Sequence, residues 1–183
     1  MQTLYEQALS ELGSVFSRID DSAVDKAVKM MADARNVVVF GGGRERLQIM
    51  GFAMRLFHLG RSVAVVGDMT TPAVRKGDLF IATVGPGEIS TALALLDVAK
   101  RAGATILVLT AQPKGRASAF ADFVLTIPAQ TMANDQGNKT SILPMGSLYE
   151  GALFILFEVM ILKLRSLVEV DPEIMRANHT NME

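Results

Sequence analysis

The chain has 183 residues, of which 50% are apolar and 20% charged, with a net charge of −1 and no cysteine. That apolar content suits one sizeable globular domain, and a sequence pI near 6.1 gives no general electrostatic reason to bind nucleic acid or an anionic membrane. Without cysteine there is no disulfide, no thiol nucleophile and no cysteine-ligated metal, which fits a reducing compartment.

The opening Met1–Glu6 lacks the basic region and apolar core of a signal peptide, so a cytoplasmic location is expected. Leu4, Ala8, Leu12, Val15, Phe16 and Ile19, followed by Val24, Ala27, Val28, Met30 and Met31, recur at helical spacing and predict two helices within residues 3–34. Asp20-Asp21-Ser22 divides them, and Ser22 with Asp25 three residues on reads as a cap for the second. The first helix precedes the sheet and is free to pack on a neighbour.

The run Val37–Phe40 enters Gly41-Gly42-Gly43-Arg44-Glu45-Arg46 and continues into a helical pattern over 46–59: strand, tight loop, helix. Glycines at the carboxyl end of such a strand permit close approaches, and the first turn of the following helix faces a crevice where a polar ligand or anion binds. A turn that needs glycine only for its shape gives the same pattern. A dinucleotide fingerprint fits poorly, because Arg46 stands where its third glycine would pack helix on strand.

Further strands are expected over 63–66, 79–83, 105–109 and 123–127, with a turn at 71–76 and helices over 88–102 and 115–121. Strands alternating with helices predict an α/β fold with a doubly wound, five-stranded parallel sheet of flavodoxin-like type. A polar loop over 129–147 leads to a long helix over 148–168. That helix is apolar, but Glu158, Lys163 and Arg165 interrupt it too often for a membrane span. The expected organisation is a single domain over 1–183, comprising helices (1–34), an α/β core with its site loop (36–147), and a long helix and tail (148–183). A mean hydropathy of +0.31 and 11 methionines exceed what a monomer needs, so part of the surface is expected to pack on another subunit. Two loops meet the crevice condition: Gly41–Arg46 and Val84-Gly85-Pro86-Gly87-Glu88, the latter leading to Ser90 and Thr91.

Six segments, in order and correctly spaced, resemble the 6-phospho-3-hexuloisomerases of the sugar isomerase (SIS) domain family. They are Phe52–Gly60, Thr71–Val74, Lys76–Leu79, Gly85-x-Gly87-Glu88, Thr140–Glu150 and the tail Met175–Glu183. The resemblance runs from about residue 3 to the C-terminus. It implies a SIS-type fold, a homotetramer, and interconversion of a 3-hexulose 6-phosphate with fructose 6-phosphate, without metal or organic cofactor. Moving a carbonyl by one carbon requires a base, a route for returning the proton and donors for enediolate oxygens. Glu150 matches the family's base, although a first-turn carboxylate favoured by the helix dipole reads the same on bare sequence. His58 and His179 fall on matched positions and suit proton transfer near neutral pH, His179 from a tail inserted into a neighbouring subunit. Alternatively, His58 is an interface histidine and His179 part of a loose terminus.

Glu88 completes the catalytic candidates. Gly42, Gly43, Arg44, Glu45, Gly85, Gly87, Ser90, Thr91 and Ser141 are expected to bind substrate, with Arg46 either assisting or facing solvent. The family's first loop continues Arg-Ser and its second reads Ser-Gly-Ser-Gly-Glu-Thr. This chain has Glu45, Val84, Pro86 and Ile89 instead, losing four hydroxyls and a backbone donor. Two readings follow: an isomerase acting on a sugar phosphate, or a non-catalytic SIS module that binds another carbohydrate derivative. The chain shows no helix-turn-helix extension that would suggest a sugar-responsive transcription factor.

Overall fold

The structure is a computed structural model that describes residues 2–137 and 140–182. Asn138 and Lys139 of the polar loop and Glu183 of the tail segment lie outside the described residues. Five strands form one sheet: β1 (Val37–Gly41), β2 (Val63–Val65), β3 (Leu79–Thr83), β4 (Thr105–Thr110) and β5 (Phe123–Thr126). Their order is β2-β1-β3-β4-β5, and every neighbouring pair is parallel. The expected doubly wound sheet is therefore present.

β1 and β3 are fully buried because both faces of the sheet are covered. Val37, Val39, Leu79, Ile81, Leu107 and Leu109 point to one face, against α2 (Asp21–Asp33), α3 (Glu45–His58) and α5 (Ser147–Leu167). Val38, Phe40, Phe80, Ala82, Ile106 and Val108 point to the other, against α4 (Ser90–Arg101). The two-residue side-chain period of a strand makes this division. From β1 the chain moves outward to β2, and from β3 it moves the opposite way to β4. With one handedness of crossover, α3 and α4 must then fall on opposite faces. Their loops part at the carboxyl ends of β1 and β3, where the crevice opens.

α1 (Leu4–Phe16) begins with a capping box in which Thr3 and Glu6 satisfy each other's backbone N–H groups. α2 is capped by Asp20, whose carboxylate accepts from the Ser22 N–H. The cap expected of Ser22 belongs to Asp20, because Ser22 already lies inside the helix. α4 begins at Ser90 rather than residue 88, and Ile89 at its N-cap has no side chain able to bond the first turn. The helix expected over 115–121 is a short 3₁₀ helix, Arg116–Phe120. A sixth helix not foreseen, α6 (Pro172–Ala177), is capped by Asp171.

α3 and α5 run side by side in the same direction. Phe52 stacks on Phe157 with ring centroids 4.4 Å apart, and Arg55 bonds Glu158 at 3.1 Å. Both N-termini therefore arrive at the same end of the molecule, beside the crevice. Among the described residues no helix is long and apolar enough to cross a membrane.

Candidate active site

A cavity of about 310 Å³ sits where β1, β3, α3 and α5 converge, lined by Gly42, Gly43, Arg44, Glu45, Pro86, Ile89, Thr131, Met132, Gly146, Tyr149 and Glu150. Two helix N-termini point their positive dipole ends toward one cavity, and the first-turn carboxylates Glu45 of α3 and Glu150 of α5 meet that field. Arg44 completes the charged set. Its Nη2 lies 2.8 Å from Glu150 Oε2, an ion contact that lacks hydrogen-bond alignment. Arg44 is mostly exposed at the mouth, while the Glu150 side chain is only 13% exposed.

Glu45 lies deeper, at 7% exposure. Its carboxylate accepts from Thr83 Oγ1 at 2.7 Å and from the Gly85 N–H at 3.0 and 3.1 Å. The Thr83 hydroxyl also meets the Tyr149 hydroxyl at 3.0 Å. Since the single Thr83 proton goes to Glu45, Tyr149 donates to Thr83 and the bonds run inward in one direction. Burial pushes the Glu45 carboxyl above its ordinary range against these hydrogen bonds, and the Glu150 charge pushes the same way. Burial, with the Glu45 charge beside it, likewise holds the Tyr149 hydroxyl well above its ordinary value.

Gly85 allows this arrangement. A Cβ there would stand 2.8 Å from Glu45 Oε1 and 2.9 Å from the Tyr149 ring. The loop before α5 is set by Gln130, which is buried and donates to the Met145 carbonyl at 3.1 Å while accepting from the Thr140 and Ser141 N–H groups. Met145 takes a left-handed φ of 54° just before the helix that carries Glu150.

Of the expected site residues, the fold brings Gly42, Gly43, Arg44, Glu45 and Glu150 to one cavity. The others lie elsewhere. Glu88 is exposed and pairs with Arg116 at 2.6 Å. Ser90 and Thr91 are exposed on α4, outside the cavity, because the helix starts two residues later than expected. Ser141 is buried and donates to Glu11 of α1, so it anchors the loop rather than lining the cavity. The Gly87 N–H, expected to face a ligand, bonds the Val84 carbonyl at 2.9 Å, and that of Gly85 is held by Glu45. Arg46 neither neutralises Glu45 nor reaches the cavity, since it bonds the Val66 carbonyl at 2.7 Å and holds the loop after β2.

His58 and His179 lie together, with rings 5.1 Å apart, at the opposite end of α3. Its 14 residues span about 20 Å at the usual rise, so within one subunit they are remote from Glu150. Asn178 ties the tail there by donating to the His58 carbonyl at 2.9 Å. Thr83, Thr131, Met132 and Tyr149 were not anticipated. Tyr149, next to the candidate base in a matched segment, was the one with a signal. Among the described residues no group of three or more His, Cys, Asp or Glu is placed to hold a metal ion.

Residues 30–155 match the SIS domain family, more than half of the chain. The chain belongs to the SIS domain family. Within it, the chain is 35% identical to the 3-hexulose-6-phosphate isomerase of Mycobacterium gastri over 173 residues, covering 94% of this chain and 86% of that one. It is 33% identical to the 3-hexulose-6-phosphate isomerase of Methylomonas aminofaciens over 185 residues and the whole of both chains. A crystal structure from Methanococcus jannaschii, for which a molecular function of 3-hexulose-6-phosphate isomerase was inferred, superposes with a TM-score of 0.84 at 25% identity, covering 98% of each chain. The SIS match spans the crevice loops and the start of α5, so it takes in the cavity just described.

Proposed function

We propose that this SIS-domain chain is a sugar-phosphate isomerase that interconverts a 3-hexulose 6-phosphate and fructose 6-phosphate, with Glu150 as the base. The relatives named 3-hexulose-6-phosphate isomerase support the reaction class. The observation that carries the role of Glu150 is its place in the cavity, largely shielded from water at the N-terminus of α5 and beside Arg44.

Glu150 takes a proton from the hydroxyl-bearing carbon next to the carbonyl and then delivers it to the former carbonyl carbon of the enediolate. Meanwhile the hydroxyl proton passes from one enediolate oxygen to the other, so that the carbonyl moves by one carbon. As the proton moves onto Glu150, negative charge moves to the enediolate oxygens, and the Arg44 guanidinium is within reach to follow it. The remaining proton transfers involve the oxygens. His58 and His179 suit that chemistry, and because they are remote from Glu150 within one subunit, a part for them requires the cavity of a neighbouring copy.

The working protein is then a homo-oligomer, which the resemblance makes a tetramer, and the lack of cysteine suits a cytoplasmic setting. Exposed Leu4, Tyr5 and Leu9 on α1 and Phe154 and Leu162 on α5 supply apolar surface for assembly. The test is a direct assay of fructose 6-phosphate formation from a supplied 3-hexulose 6-phosphate. Turnover that is lost in Glu150→Gln supports the reading, and no turnover by the correctly assembled wild type overturns it.

A further inference from the structure

The backbone donors of the second crevice loop are already spent. The Val84 N–H bonds the Leu109 carbonyl, that of Gly85 bonds Glu45, Pro86 has none, and that of Gly87 bonds the Val84 carbonyl. The hydroxyls at the same depth are spent too, since Tyr149 and Thr83 donate in series toward Glu45. An anionic group brought to the inner end of the cavity would meet a buried carboxylate and find no donor among these groups. An ionised carboxylate has about four acceptor positions, and Gly85 and Thr83 occupy three of them, two of the three through one shared N–H. What remains on Oε1 takes a donor.

We propose that Glu45 determines the specificity of this site. It reserves the inner end of the cavity for a neutral, hydroxyl-bearing part of the ligand and leaves any anionic group to the Arg44 mouth. The apolar walls fit this division: Pro86, Ile89 and Met132 offer no charge to an anion, and Arg44 at the rim is the one cation among the lining residues. The charged and titratable groups that face Glu45 are Glu150 and Tyr149, and Arg44 is held by Glu150. No cation faces the Glu45 charge on the inner side, where it is met only by the Thr83 and Gly85 donors and the α3 N-terminus. The division deepens the isomerase reading by giving the sugar phosphate one orientation, with hydroxyls inward and phosphate outward, and it rests on that cavity being the substrate site.

Calorimetry on the full chain tests it without turnover. Inorganic sulfate is the probe because its charge is constant between about pH 5 and 9, so any pH dependence belongs to the protein. Sulfate should bind weakly to the wild type at pH 8 and about tenfold or more tightly to Glu45→Gln, which removes the facing charge, and to Glu45→Ser, which also releases the inner donors. Wild-type sulfate affinity should rise as the pH falls and Glu45 takes up a proton, and this dependence should be gone in Glu45→Gln. The wild-type pH series needs no variant, so it stands even where a substitution fails to fold. Arg44→Ala should weaken fructose 6-phosphate binding by about tenfold or more. Sulfate affinity that is equal in wild type and both variants and flat with pH overturns the proposal, as does fructose 6-phosphate binding that ignores Arg44→Ala. An inactive protein with the predicted sulfate series would sink the isomerase reading alone, whereas an active one without that series would sink this inference alone.

Discussion

Glu150 and Glu45 are neighbouring carboxylates with different surroundings, and the tasks proposed for them follow from that difference. Glu150 borders Arg44 and the cavity, so it can exchange a proton with a ligand. Glu45 is held by Thr83 and Gly85 away from the mouth, with one acceptor position left on Oε1. Glu150→Gln keeps size and hydrogen bonding but removes the proton acceptor, and kcat should fall by roughly 10²–10⁴ with thermal stability little changed. Turnover within a few-fold of wild type would move the base elsewhere. Gly85→Ala tests the other carboxylate. The added Cβ would stand 2.8 Å from Glu45 Oε1 and 2.9 Å from the Tyr149 ring, and both are packed too tightly to yield freely. A loss of roughly 1–3 kcal/mol is expected in thermal or denaturant unfolding, and an unchanged midpoint would show that the cavity floor relaxes easily. At this scale the sequence was least legible. Glu45 read as extra charge in a loop, because the partners that take it inward are 38 and 40 positions away.

Elements were easier to read than their ends. β1 and β3 stood out as unbroken apolar runs because helices cover both faces, and α3 and α5 stood out by length and spacing. The start of α4 was misplaced because Ile89 carries no capping signal, and that error alone put Ser90 and Thr91 at the crevice. Asp78, just before β3, joins three segments. It is almost fully buried and accepts from Arg35, Asn36 and the Arg75 N–H. Burial raises its pKa, but the bonds from Asn36, Arg35 and Arg75 outweigh that and hold it below the ordinary carboxylate value. A depressed folded-state pKa means stability that is present above the unfolded value and lost as pH falls through the folded one. Asp78→Asn should therefore cost roughly 1.5–3 kcal/mol at neutral pH. The gap between variant and wild type should close as the pH drops below about 4, read from denaturant unfolding across pH. A gap that stays constant down to pH 2 would mean that the charge of Asp78 contributes nothing.

Over the whole molecule, the proposed assembly would cover the exposed apolar side chains and bring the separated histidines to a neighbouring cavity. Leu47, Met54 and Phe57 on α3 and Phe154 on α5 are each about half exposed or more, on the helices that bring Glu150 and His58 to opposite ends of the subunit. A stable oligomer should appear in light scattering as a multiple of the 19.7 kDa chain at micromolar concentration. The sharper test asks whether the active site is shared. If His58 serves the cavity of a neighbouring copy, Glu150→Gln and His58→Ala should each be nearly inactive alone. Mixed oligomers, made by refolding or co-expressing the two, should regain activity, because some cavities then receive an intact Glu150 from one chain and an intact His58 from another. An active site confined to one chain gives no recovery, since every subunit in the mixture carries one lesion. Full activity of His58→Ala would remove the histidine from the chemistry and leave it tying α3 to the C-terminal tail through the backbone bond to Asn178.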